Sequence, residues 1–107
     1  MMFTAGSALL DAVVLSVVSI EGTYGYKITQ DVREVMDVSE STLYPCFLLL
    51  QKYCYLEAYD MEFQCRNRSY YKITSNGMIL LDKYRREWCT FRKEIDKILM
   101  GVNSNKN

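Results

Sequence analysis

Ser41, Thr42 and Tyr44 bring their hydroxyls close together just ahead of Pro45. At the start of a helix they would join free backbone N–H groups and the positive end of the helix dipole, a combination suited to a phosphate. Arg66 and Arg68, flanking Asn67, offer a second contact point, since long cations there can reach a phosphate or a narrow minor groove. The blander alternatives are hydroxyls that only cap the helix, Tyr44 packed on a neighbouring hairpin, and arginines solvated in a turn. Bond-making chemistry has no comparable support. The chain has no histidine, no nucleophile motif and no phosphate loop, and Glu57, Asp60 and Glu62 form no convincing carboxylate pair. No catalytic residue and no cofactor is expected. Cys46, Cys54, Cys65 and Cys89 show no CxxC spacing, which argues against structural zinc, any other metal site or a disulfide framework. Reduced, mostly packed thiols fit better, with a redox switch at Cys46 or Cys65 as a minor alternative.

These residues need elements to hold them. Ser7 can cap a first helix in which Leu9, Leu10, Val13, Val14, Val17 and Ile20 cover most of the circumference, so it should be largely buried until Gly22 breaks it. Gly25 opens a second helix with Tyr26, Ile28, Val32, Val35 and Met36 toward the core and Lys27, Gln30, Asp31, Arg33 and Glu34 toward water. Gly25 gives room where helices cross, and Tyr26 fills the core. Ser39 is the N-cap of a third helix that starts near Glu40 to Thr42, because Pro45 is acceptable only within a first turn, and runs to about Tyr53. Leu43, Phe47 and Leu50 form its buried stripe, and Ser41, Tyr44, Leu48, Gln51 and Lys52 its open face. Alternating, tyrosine-rich runs over 56–63 and 68–73, with a polar stretch between them, predict a β-hairpin. Thr74 or Ser75 caps a last helix from about Asn76 to Met100, ended by Gly101.

That last helix carries an apolar seam: Leu81, Tyr84, Trp88, Phe91, Ile95, Ile98 and Val102, spaced alternately by threes and fours. So narrow a seam must meet another helix, and in a chain of 107 residues the same helix of a second copy is the natural partner. Leu81, Tyr84, Trp88, Phe91, Ile95 and Ile98 are the expected dimer interface. Glu87 and Arg92 flank it, where an intersubunit bridge could form.

Short helices, a hairpin and a long final helix are the order of elements in a winged helix-turn-helix with an added dimerisation arm: mainly α with a β-hairpin. The runs Tyr24-Gly25-Tyr26-Lys27-Ile28, Ser41-Thr42-Leu43-Tyr44-Pro45 and Arg66 to Thr74, followed by Gly77, closely resemble the PadR family of bacterial transcriptional regulators. The resemblance spans about 9–99 and is similar to the smaller subfamily with a single C-terminal helix. It implies a homodimeric repressor of double-stranded DNA, with a DNA-binding head over 1–74, a dimerisation helix over 75–102 and a flexible tail over 103–107. Ser41, Thr42, Tyr44, Lys52, Arg66, Arg68 and Tyr70 would then contact DNA. Trp88 stands where this family tends to carry a tryptophan at the dimer axis, so Trp88 and Tyr84 become candidates for holding a small aromatic effector. A tryptophan at such a position is more often plain core, and Tyr84 is bulky enough to plug an opening.

The chain also departs from its relatives. Where they commonly carry basic residues in the third helix, it has Leu48 and Leu49, leaving Lys52 as that helix's only cation; the usual glycine after the helix is Cys54, and Gln64 and Cys65 replace glycines at the hairpin tip. Lost phosphate contacts predict weaker DNA binding, and Leu48 and Leu49 can instead meet thymine methyls or a protein. The alternative function is therefore a winged-helix protein-interaction module with Leu48, Leu49 and Tyr53 as its contact face. The formal net charge of zero predicts no general affinity for nucleic acid or anionic membrane, so DNA binding must come from a local patch. The longest apolar run, Ala8 to Ile20, is interrupted by Asp11 and falls short of the roughly 20 residues of a membrane span; a cytoplasmic location without membrane contact is expected.

Overall fold

The computed structural model of the protein describes residues 7–20, 22–63 and 66–101. In chain order these form α1 (Ser7–Ile20), β1 (Thr23–Tyr24), α2 (Gly25–Arg33), α3 (Glu40–Lys52), β2 (Leu56–Phe63), β3 (Arg66–Ile73) and α4 (Ser75–Leu99). The sheet is antiparallel with order β1-β3-β2. Strand β1 is an element the alternation of apolar and polar residues could not reveal. It pairs Thr23 with Tyr71 and Tyr24 with Tyr70, turning the expected hairpin into a three-stranded sheet. The hairpin register runs from Leu56 opposite Ile73 to Phe63 opposite Arg66, so β3 starts at Arg66 and not, as expected, at Arg68. Gln64, Cys65, Val102 and the tail over 103–107 lie outside the described residues.

The core forms where α1 meets α3, α4 and the sheet. Val14, Leu15, Val18, Ile28, Val32, Leu43, Phe47, Leu50, Leu56 and Leu81 are closed off within the single chain. The third helix has the stripe its spacing predicts, with Cys46 added to Leu43, Phe47 and Leu50. Ser39 caps it by accepting the Thr42 N–H at 3.3 Å. Pro45 lies inside the helix, one turn deeper than the first-turn position expected of it.

Other expectations need correction. Helix α2 ends at Arg33, leaving Val35 beyond it and 70 % exposed, and Tyr26 is 61 % exposed and so does not fill the core. Gly25 makes room for the Tyr71 ring of the sheet, whose edge would stand 3.3 Å from an added Cβ, and not for a helix crossing. Helix α1 is closed on one side only. Leu9, Val13 and Val17 are half-buried and Ile20 is exposed, so an apolar stripe remains open along it.

Helix α3 stops in a Schellman arrangement: Tyr55 N–H donates to the Leu50 carbonyl at 2.8 Å and Cys54 N–H to that of Gln51 at 3.0 Å. This geometry needs a left-handed residue, and Cys54 supplies it at φ +65°, where a Cβ crowds the following carbonyl. Cys54→Gly is expected to stabilise the protein by about 0.5–1 kcal/mol, the relieved strain outweighing the extra freedom of an unfolded glycine. Urea titration of the two proteins checks it through a higher midpoint at unchanged slope.

Helix α4 is capped by Thr74, whose hydroxyl accepts the Gly77 N–H at 3.0 Å and donates into the Cys54 and Tyr55 carbonyls. Its first turns belong to the head: Leu81 is 1 % exposed and Tyr84 9 %. The seam therefore divides. Leu81 and Tyr84 pack against their own subunit and have almost no surface left for a second copy, whereas Trp88 and Ile98 are exposed and Phe91 and Ile95 half-buried. The molecule is 61 Å long against 26 by 21 Å in section.

Candidate nucleic-acid interface

The first turn of α3 stands open. Ser41 and Thr42 are exposed, both within reach of the Ser39 hydroxyl at 2.9 and 3.1 Å, and Tyr44 is 65 % exposed. Capping uses one backbone N–H and leaves the remaining first-turn groups and the dipole directed outward, so the site can accept a phosphate. Tyr44 faces Tyr71 of the hairpin across a cleft but keeps most of its surface open. Lys52, at the far end of the same helix, lies 5.8 Å from the Tyr53 ring.

Leu48 is 62 % exposed and Leu49 52 %, so two apolar side chains occupy the open face of α3 where cations would serve a phosphate backbone better. Tyr70 is half-buried. It stands between Tyr24 and Tyr59 with both ring separations at 5.8 Å, the first edge-on and the second stacked. Arg66 and Arg68 belong by their backbone to β3 and not to a loop; their side chains lie outside the described residues.

The arm presents a different chemistry. The Trp88 ring lies against Phe91 at 6.1 Å and remains 37 % exposed. Tyr84, expected beside it, is instead closed into the junction of α1, α3 and α4, its hydroxyl donating to Asp11 Oδ2 at 3.5 Å. Glu87 Oε1 is covered by its own chain and has no hydrogen-bond partner among the described residues.

Asp11 belongs to none of the candidate sites, and the one trace it leaves in the sequence is a lone acid in an apolar helix. Besides the Tyr84 hydroxyl it receives the Cys46 thiol, 3.1 Å from Oδ1. Burial raises the Asp11 carboxyl above its usual value despite the lowering effect of both hydrogen bonds. Burial, and then the facing Asp11, push the Cys46 thiol far up and the Tyr84 hydroxyl to about 12. Buried and hydrogen-bonded to Asp11, this thiol is a poor nucleophile, which argues against a redox switch at Cys46. The folded protein holds the Asp11 proton more tightly than the unfolded chain does, so stability is lost as pH rises from about 4 through the folded value. Asp11→Asn is expected to flatten that loss, so in urea titrations the variant gains stability relative to wild type as pH rises. Among the described residues no cluster could hold a metal ion, and no helix is long and apolar enough to cross a membrane.

Comparison with known proteins agrees with this architecture. The transcriptional regulator PadR-like family matches residues 14–83, more than half of the chain. An uncharacterized protein of Lysinibacillus sphaericus is 32 % identical over 98 residues, covering 87 % of this chain and 90 % of its own. Among solved structures, smu.1704 from Streptococcus mutans superposes with a TM-score of 0.83 at 35 % identity, over 96 % of this chain and 98 % of that one. A PadR-like transcriptional regulator from Bacillus cereus gives 0.78 at 27 % identity, over 88 % and 94 %. A PadR family transcription regulator from Clostridium difficile gives 0.77 at 25 % identity, over 84 % and 97 %. Family match, element order and the motifs around α2, α3 and the hairpin converge: the chain belongs to the PadR-like family of transcriptional regulators, which are winged-helix proteins and not enzymes.

Proposed function

We propose that the protein is a homodimeric repressor that binds double-stranded DNA through α3 and the β2–β3 hairpin. The observation that carries this reading is the exposed, hydroxyl-rich first turn of α3, capped by Ser39 and free to meet a phosphate. Ser41, Thr42 and Tyr44 anchor the helix, Lys52 adds its one cation, and Arg66, Arg68 and Tyr70 serve the hairpin side. Two heads read half-sites about one helical turn apart. The second copy joins through the open stripe of α1 and the Trp88, Phe91, Ile95 and Ile98 surface of α4, two apolar faces only partly covered in the single chain. Acting on DNA places the protein in the cytoplasm. A flat aromatic effector between paired Trp88 rings regulates it only by binding two head spacings with different affinity.

The exposure of Leu48, Leu49 and Tyr53 favours one second reading, a winged-helix module that contacts a protein through this face with little DNA binding.

The test is an anisotropy titration of duplex from the gene's own upstream region at low salt. Affinity about a thousandfold or more above that for random duplex supports the repressor; equal affinity removes it. Sedimentation equilibrium at micromolar concentration tests the dimer, which a purely monomeric species would refute.

A further inference from the structure

A cleft of about 660 Å³ opens between the N-terminal turns of α2 and α3 and the sheet. Tyr24, Tyr26, Tyr44 and Tyr71 line it, together with the buried ring of Phe47, which lies 5.4 Å from that of Tyr71. Among the described residues its one formally charged lining residue is acidic, Glu40, and Glu40 forms no ion pair with any of them. A second carboxylate stands behind the wall: Ser69, also on the lining, donates its hydroxyl to Asp60 at 3.3 Å. Lys27, next to Tyr26 in the chain, is engaged elsewhere, 3.2 Å from Asp31.

Electron-rich ring faces with a carboxylate beside them attract positive charge. Aromatic walls cannot replace the water shell of a small metal ion, which demands oxygen ligands in close array. An organic cation carries its charge on a poorly hydrated, apolar body and meets both requirements, and the volume lies within the range of small-molecule sites. We propose that this cleft binds a small organic cation of the alkylated or quaternary ammonium class, its nitrogen facing the tyrosine rings and Glu40. Burial first, then neighbouring Tyr44 and Asp60, hold the Tyr71 hydroxyl above its ordinary value, so this wall of the cleft stays a neutral phenol. Tyr44 belongs both to this cleft and to the surface assigned to DNA, so an occupant also alters DNA affinity. That consequence depends on the repressor reading; the binding itself does not.

The experiment therefore uses the full chain without DNA. Choline is titrated at constant ionic strength against its uncharged isostere 3,3-dimethylbutan-1-ol, with NMR shifts followed at Tyr26, Glu40, Tyr44, Tyr71 and the Trp88 indole. Saturable shifts at the four cleft residues are expected, with the isostere about tenfold weaker. Glu40→Gln keeps the side-chain shape and Tyr44→Ala alters an exposed side chain, so both variants fold; each is expected to weaken choline about five- to tenfold. Absence of saturation, equal affinity for the isostere, shifts confined to Trp88 or unchanged affinity in both variants would overturn the proposal.

Discussion

Replacing Leu48 by Lys and Leu49 by Arg together is expected to raise affinity for duplex DNA about a hundredfold at 50 mM salt and to steepen its salt dependence by about three to four units. Both positions are more than half exposed on α3, in the helix whose first turn offers the phosphate-binding groups. Each copy gains two cations and a dimer four. Each new phosphate contact releases condensed counterions, adding about 0.9 to the slope of log K against log salt. The fold should tolerate the change, because lysine and arginine are good helix formers and neither leucine contributes to the core. Anisotropy titrations between 50 and 200 mM salt read both quantities. If α3 instead contacts a protein, the double variant loses that partner while its DNA affinity and slope stay near those of wild type.

Gly77→Ala should produce the largest loss of stability from a single methyl group, about 3 kcal/mol, lowering the melting temperature by about 15 °C. The first turn of α4 approaches the end of α3 so closely that a Cβ on Gly77 would overlap the Tyr55 carbonyl oxygen and come within 2.6 Å of Ile73 Cγ1. The opposing atom is backbone and cannot swing aside. That carbonyl also receives the Thr74 N–H and hydroxyl, and Tyr55 N–H closes the Schellman bond to Leu50. The methyl group therefore strains the end of α3, the start of β2 and the cap of α4 together. Thermal unfolding followed by circular dichroism measures the loss; a shift of only a degree or two would mean that α4 can slide outward without penalty. The requirement for Gly77 is a matter of space and not of backbone dihedral, unlike that at Cys54.

Local order in the sequence was sufficient for most of the elements. The spacing of Leu43, Phe47 and Leu50 set the buried side of α3, and Ser39 and Thr74 marked the starts of α3 and α4, because periodicity and capping act within a few residues along the chain. The motifs around Tyr24, Ser41 and Arg66 were enough to place the chain in its family. Strand β1 escaped because two residues carry no period; only pairing with Tyr70 and Tyr71 makes Thr23 and Tyr24 a strand. The seam of α4 looked uniform because helical spacing says which side chains share a face and not which neighbour covers them. Tertiary packing decided that Leu81 and Tyr84 close their own head and that the open surface starts at Trp88. Asp11 meets Cys46 and Tyr84 across separations of 35 and 73 residues. The tyrosine cleft likewise assembles α2, α3 and β3. Burial and proximity of this kind depend on how helices and sheet settle against one another, and no local run of residues encodes that.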